Sequence, residues 1–169
     1  HSSHVLKNEY GAFDGHYLVQ HDSTYRAEMI DAGALNLGQH KGNSVTYHDP
    51  CYLGRYNGEY EAPRHVLRAL GIEVKEMQRS GFRSRCCGGG GGAPITDIPG
   101  KQRIPDMRME DIRETGAELV AVGCPQCTAM LEGVVEPRPL IKDIAELVAD
   151  ALLEEPAPAK TPNLREPAE

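Results

Sequence analysis

Positive charge is in short supply in this sequence. Eighteen Lys and Arg face 25 Asp and Glu, for a formal charge of −7, which argues against a nucleic-acid groove or an anionic membrane surface as the main partner. Aromatic residues are scarce as well: no Trp, two Phe and seven Tyr. No apolar run approaches the roughly 20 residues that span a bilayer, and no secretory leader pattern is visible. The five cysteines are an odd number, poor material for a disulfide framework and better suited to a reducing cytoplasm, where thiols survive and bind metals. The Gly88–Gly92 run lacks the Gly-Lys-Ser/Thr ending of a phosphate-binding loop, and glycine spacing alone is a weak dinucleotide signal.

What remains is an ordinary globular pattern, long enough at 169 residues for one domain with a real core. The chain opens His1-Ser2-Ser3-His4 without Met. Residues 1–15 are expected to be a lead-in, either the start of a fragment of a longer protein or a cloning remnant. Strands are predicted at 16–21, 44–49, 72–77 and 118–123, and helices at 23–33, 59–71, 104–116, 125–134 and 142–155. Ser23 or Thr24 is the expected cap of the first of these helices, and Gly33, Gly71 and Gly116 are expected stops. Such alternation implies an α/β fold with a mainly parallel sheet flanked by helices, whose site lies beyond the carboxyl ends of the strands. Residues 16–155 form this single domain, and the Pro-rich segment 156–169 is expected to be a disordered tail.

Every cysteine belongs to one constellation: Cys51, then 34 residues, the adjacent pair Cys86-Cys87, then 36 residues, and Cys124-x-x-Cys127. Cys51 and Cys124 each follow a predicted strand, so the topology gathers the thiols at one end of the sheet. Stray buried thiols are common, but five at strand ends with none left over point to a metal site. Zinc takes four ligands, often as two CxxC pairs, and here there is one such pair. Adjacent cysteines chelate a small ion poorly and suit an object several ångströms wide, such as an iron–sulfur cluster. Glycine after the pair permits close approach and positive φ, and the N–H groups of Gly88 and Gly89 can serve cluster sulfur. Arg83, Arg85 and Arg55 are candidates to offset the negative charge. Tyr52, Tyr56 and Tyr60 are spaced to share one helix face. His48 reads either as a structural histidine or as a group supporting the site, and Lys7, Asn8 and Glu9 as polar surface. No catalytic residue is assigned.

The stretches "HDPCYLGRYNGEYEAPRHVL", "CCGGGGG" and "GCPQCTAML" together resemble the cysteine-rich CCG domain, a family that includes a component of the heterodisulfide reductases and the iron–sulfur subunits of glycolate and lactate oxidation. The wording is most similar to the C-terminal part of iron–sulfur oxidoreductases of dimethylglycine catabolism. The resemblance covers roughly residues 4–153. It implies that Cys51, Cys86, Cys87, Cys124 and Cys127 ligate a 4Fe-4S cluster, with the noncubane form known in this family, and that zinc is the alternative. It also implies a flavoprotein or ferredoxin-type electron donor, a quinone or other carrier as acceptor, and cytoplasmic placement within a larger protein that is membrane-associated at the cytoplasmic face. Relatives carry two CCG units and this chain has one, with Ser2 or Ser3 standing where a first unit has cysteine. Thiol–disulfide chemistry at the cluster and a non-enzymatic zinc-stabilised interaction domain are the rival functions.

Overall fold

Two four-residue strands with every residue buried form the centre of the molecule, β1 (Val45–His48) and β2 (Leu119–Val122). β3 (Leu140–Asp143) pairs with β2, and all three run parallel in the order β1-β2-β3. The computed structural model describes residues 2–96 and 99–153; the expected tail at 156–169 lies outside the described residues. The helices are α1 (Ser2–Asn8), α2 (Asp22–Asp31), α3 (Cys51–Gly54), α4 (Glu61–Ala69), α5 (Ile104–Glu114), α6 (Pro125–Glu132) and α7 (Ile144–Ala151). None is long and apolar enough to cross a membrane.

Alternation along the strands divides the core into two layers. Val45 and Tyr47 of β1, with Leu119 and Ala121 of β2, face α2, α4 and α7. Val120 and Val122 face α5 and α6, and Cys87 and Cys127 belong to this second layer. A parallel sheet covered on both faces needs strands apolar on both sides, and β2 (LVAV) meets that demand fully. On α4, Val66 and Leu67 are wholly enclosed, as is Leu70 directly after it, and Gly71 at φ 74° ends the helix as expected. Pro105 sits in the first turn of α5, and Gly116 lies past its end.

The crossovers place the site. From β1 the chain passes through α4 to Val74, which bridges Val45 on the outer edge of β1. It then returns along the other face through α5 to β2, on the opposite side of β1. Connections therefore leave the β1–β2 pair in opposite directions, which opens a crevice beyond their carboxyl ends. Cys51 follows β1 after two residues, and Cys124 follows β2 after one.

Four sequence expectations differ from the structure. Residues 16–21 pair with no strand among the described residues; Tyr17 and Leu18 are more than half exposed, so local alternation had no partner to satisfy. The strand expected at 72–77 is reduced to one bridge, because the Thr46 hydroxyl takes the Lys75 carbonyl at 2.6 Å, where a backbone N–H would extend a ladder. The helix expected at 142–155 is divided. Its first residues belong to β3, and Asp143 then caps α7 in a box with Glu146. His21, rather than Ser23 or Thr24, caps α2 through its ring nitrogen. The lead-in folds as α1 and a short 3₁₀ turn at Tyr10–Phe13.

Leu67 lies at the meeting of α4 and the sheet with no exposure. Leu67→Ala is expected to lower unfolding stability by about 2–5 kcal/mol, read as a shifted midpoint in urea denaturation with an unchanged slope.

Candidate metal centre

The turn after β1 is fixed by Asp49. Its carboxylate accepts from both terminal nitrogens of Arg64 at 2.7 and 3.0 Å and from the Gly81 N–H at 2.8 Å. Pro50 then holds an extended backbone, and α3 begins at Cys51. The segment carrying the vicinal pair is tied to the same turn: Ser84 Oγ donates to the Asp49 carbonyl at 3.3 Å, and Arg55 donates to the carbonyls of Phe82 and Ser84. After β2, Gly123 leads to Cys124, which caps α6, and Pro125 opens that helix so that Cys127 stands in its first turn.

All five cysteines line one cavity of about 380 Å³. Cys87 and Cys127 are buried, while Cys51, Cys86 and Cys124 are partly open to the cavity. The thiols interact in an unbroken series, Cys51 with Cys86, Cys86 with Cys87, Cys87 with Cys127, and Cys127 with Cys124. The adjacent pair thus turns both thiols to one cavity, although neighbouring side chains ordinarily diverge. Gly88, at φ 87°, supplies the turn, and its N–H donates to Cys86 Sγ at 3.2 Å.

The role of the glycines differs from a simple approach to the centre. A Cβ on Gly88 would lie 2.8 Å from Pro105 Cδ, and one on Gly89 would lie 2.7 Å from Gln126 Cγ. These two glycines pack the loop against α5 and α6. A Cβ on Gly90, Gly91 or Gly92 would meet nothing within 4 Å.

Electrostatics among the sulfurs divide them. Cys86 is held down to about 2, first by the Cys51 thiol, then by the Cys87 thiol and, against burial, by the Gly88 N–H. Cys124 is held down to about 6 by the Cys127 thiol and the N–H groups of Cys127 and Gln126. Cys51 and Cys127 are pushed up, each chiefly by sharing its proton with a neighbouring sulfur and then by burial.

Beneath the thiols lies a polar group that sequence reasoning missed. Arg108 of α5 is fully buried. Its Nε donates to His48 Nδ1 at 3.0 Å, and its terminal nitrogens reach the Arg79 carbonyl at 2.8 Å, Asp111 Oδ2 at 3.2 Å and Ser84 Oγ at 3.2 Å. Asp111 also receives Arg85, at 2.9 and 3.2 Å. The available signal was placement: Arg108 falls among Pro105, Met109 and Ile112 on the buried stripe of α5. A charge on an apolar stripe needs a partner inside.

The expected cation roles are redistributed accordingly. Arg85 is held by Asp111, Arg55 by backbone carbonyls, and Arg83 lies 6.0 Å from the Phe82 ring centroid. The tyrosine stripe is interrupted because α3 ends at Gly54, against which Tyr60 packs. Tyr52 and Tyr56 do stack, with centroids 4.4 Å apart, and His4 meets both rings edge-on.

The donor set fits a thiolate-bound inorganic group. Five soft donors exceed the four of a tetrahedral ion. The Tyr47 hydroxyl is buried between β1 and Gly123 with no hydrogen-bond partner among the described residues, and a buried guanidinium is placed to face negative charge. A tighter subset, His48 with Cys87 and Cys127, has its ligand atoms within 4.8 Å of one another.

The cysteine-rich domain profile matches residues 45–132, from the first residue of β1 to the last of α6. The chain belongs to the CCG cysteine-rich domain family. It is 69% identical over 161 residues to a probable membrane-anchored ferredoxin of Chromohalobacter salexigens, covering 90% of this chain and 24% of that protein. It is 35% identical over 164 residues to the EtfAB:quinone oxidoreductase of Syntrophomonas wolfei, covering 90% and 23%. It is 36% identical over 147 residues to a subunit of the dihydromethanophenazine:CoB–CoM heterodisulfide reductase of Methanosarcina barkeri, covering 80% and 34%. The CCG chain thus spans between about a quarter and a third of the length of these relatives.

Burial and the Arg108 guanidinium push His48 down to about 3. Its folded value lies below its unfolded one, so below pH about 6.5 the unfolded chain takes up a proton that the folded chain refuses. Stability is therefore expected to fall by about 1.4 kcal/mol per pH unit between pH 6.5 and 5 from this residue. Urea titrations across that range check it, with His48→Gln showing the shallower slope.

Proposed function

We propose that this CCG domain is an iron–sulfur electron-transfer module of a larger oxidoreductase, in which Cys51, Cys86, Cys87, Cys124 and Cys127 hold a 4Fe-4S cluster of the noncubane kind. The observation that carries the reading is the continuous row of five interacting thiols along one cavity at the crevice between β1 and β2. A single tetrahedral ion leaves one of these thiols over, whereas a multi-iron group has sites for all. The names of the relatives, a ferredoxin, a quinone oxidoreductase and a heterodisulfide reductase component, support electron transfer as the activity.

When bound, the cluster supplies reversible electron exchange. The chain's own residues ligate, shield and neutralise. Cys87 and Cys127 lie in the apolar second layer, away from water. Gly88 offers an N–H at the Cys86 sulfur, and Arg108 places a permanent positive charge below. The donor is a flavoprotein or ferredoxin-type protein and the acceptor a quinone or related carrier, met within the longer protein of which this domain forms part. The assembly lies at the cytoplasmic face of a membrane in this reading, and the name of the Chromohalobacter relative, a membrane-anchored ferredoxin, supports the membrane association.

Protein prepared without oxygen is expected to contain about four irons and acid-labile sulfide per chain, with visible absorbance and a paramagnetic state on oxidation or reduction. Cys→Ser at any of the five positions is expected to lower iron content. One zinc per chain with no visible absorbance after anaerobic reconstitution would overturn the reading in favour of a zinc-stabilised domain.

A further inference from the structure

His48 and Arg108 stand directly behind the sulfurs, and their role is inferred on the basis of the iron–sulfur reading above. His48 is the last residue of β1 and is almost wholly enclosed. One of its ring nitrogens lies within 4.8 Å of the sulfurs of both buried cysteines, Cys87 and Cys127. On distance and burial alone it reads as a sixth ligand.

The hydrogen bonding argues otherwise. Arg108 Nε donates to His48 Nδ1 at 3.0 Å. A guanidinium is donor only and does not give up its proton in proteins, so Nδ1 must remain the acceptor. The neutral ring then carries its one proton on Nε2. With Nδ1 engaged and Nε2 protonated, the imidazole has no lone pair to give a metal. It has one N–H to give an acceptor, and the sulfurs of Cys87 and Cys127 lie within 4.8 Å of a ring nitrogen.

Arg108 has little freedom to yield. Its other nitrogens are bonded to the Arg79 carbonyl, Ser84 Oγ and Asp111 Oδ2. Asp111 is held from its other side by Arg85 through both oxygens. Ser84 is fastened to the Asp49 carbonyl, two residues before Cys51. The direction of the Arg108 Nε–H is thus fixed from α5, from the loop before the vicinal pair and from the turn after β1.

We propose that His48 serves the centre as a fixed N–H donor to its sulfur and not as a metal ligand, with Arg108 the positioning residue that sets the tautomer. A donor to cluster or thiolate sulfur stabilises the more negative, reduced form and so raises the reduction potential. His48 then helps set where this centre stands between its electron donor and acceptor, without touching either.

The experiment has an arm that needs no cluster. In metal-free protein labelled with nitrogen-15 histidine, NMR is expected to show His48 protonated at Nε2 and unprotonated at Nδ1. A proton on Nδ1 overturns the proposal. In cluster-loaded wild-type protein, pulsed EPR is expected to show weak nitrogen coupling through an exchangeable proton. Coupling of the size given by a directly bonded nitrogen, or none at all, overturns it. His48→Phe is expected to retain full iron and shift the potential downward, and His48→Gln, which keeps an N–H, is expected to recover part of the shift. Unchanged potentials, or folded variants that lose iron, overturn the donor role. Should neither variant fold, the two wild-type measurements decide. If no iron–sulfur cluster forms in wild-type protein, the function proposed above fails, while the NMR arm still reads the tautomer.

Discussion

Five sulfur atoms along one cavity wall cannot all carry charge unless positive charge is brought among them. In the free chain the protons are shared unequally. Cys86 and Cys124 sit low because neighbouring thiols donate to them, and Cys51 and Cys127 sit high because they are the donors. Such a row is held together by its protons. A metal group held by these cysteines would need their thiolate forms, so its binding would be coupled to proton release. The five cysteines come from three separated segments, which the sheet and its fixed crossovers bring to one cavity.

The fold supplies that fixity at its least regular point. The β1–β2 pair is buried on both faces, yet its crossovers depart in opposite directions. Helices therefore cover the faces but not the carboxyl end. Cys51 enters from β1 and Cys124 from β2, and the vicinal pair arrives along the second face, where Gly88 and Gly89 let the loop lie flat on the starts of α5 and α6. A side chain at either glycine would lift the loop and with it Cys86 and Cys87. The glycine run is thus divided in duty. Its first two members set the height of the sulfurs, and the next three have open space where a side chain would stand.

The legible parts of the sequence were those with a local chemical reason. β2 and α4 announced themselves by apolar pattern, and Gly71, Gly116 and Pro105 marked helix ends through backbone geometry that other residues resist. The cysteines were legible because their number and spacing have few purposes. β3 was missed because four residues before an Asp-capped helix share its pattern, and only the register against β2 distinguishes them. Residues 16–21 misled in the opposite sense. They alternate as a strand does, but no sheet edge among the described residues receives them. Arg108 was overlooked because a single arginine in a helix is ordinarily solvated. Its meaning comes from His48 and Asp111, sixty positions before it and three after, and from a burial that no short window reveals.

Burying Arg108 is costly, since removing a guanidinium from water without full compensation is strongly unfavourable. The partial compensation is informative. Asp111 is one carboxylate divided between two guanidinium groups, Arg85 and Arg108, and His48 contributes no charge in its neutral form. Asp49 is fully engaged by Arg64, whose second partner Glu76 is substantially exposed and screened by solvent. The Arg85–Asp111–Arg108–His48 group therefore carries one positive charge more than its carboxylate can match, on the side of the sheet where Cys87 and Cys127 are buried. A surplus cation in that position complements the thiolate forms of Cys86 and Cys124, which sit low in the free chain, and would complement a thiolate-bound group of net negative charge in the same way. The buried side of the crevice is thus polarised for anionic sulfur before any group binds.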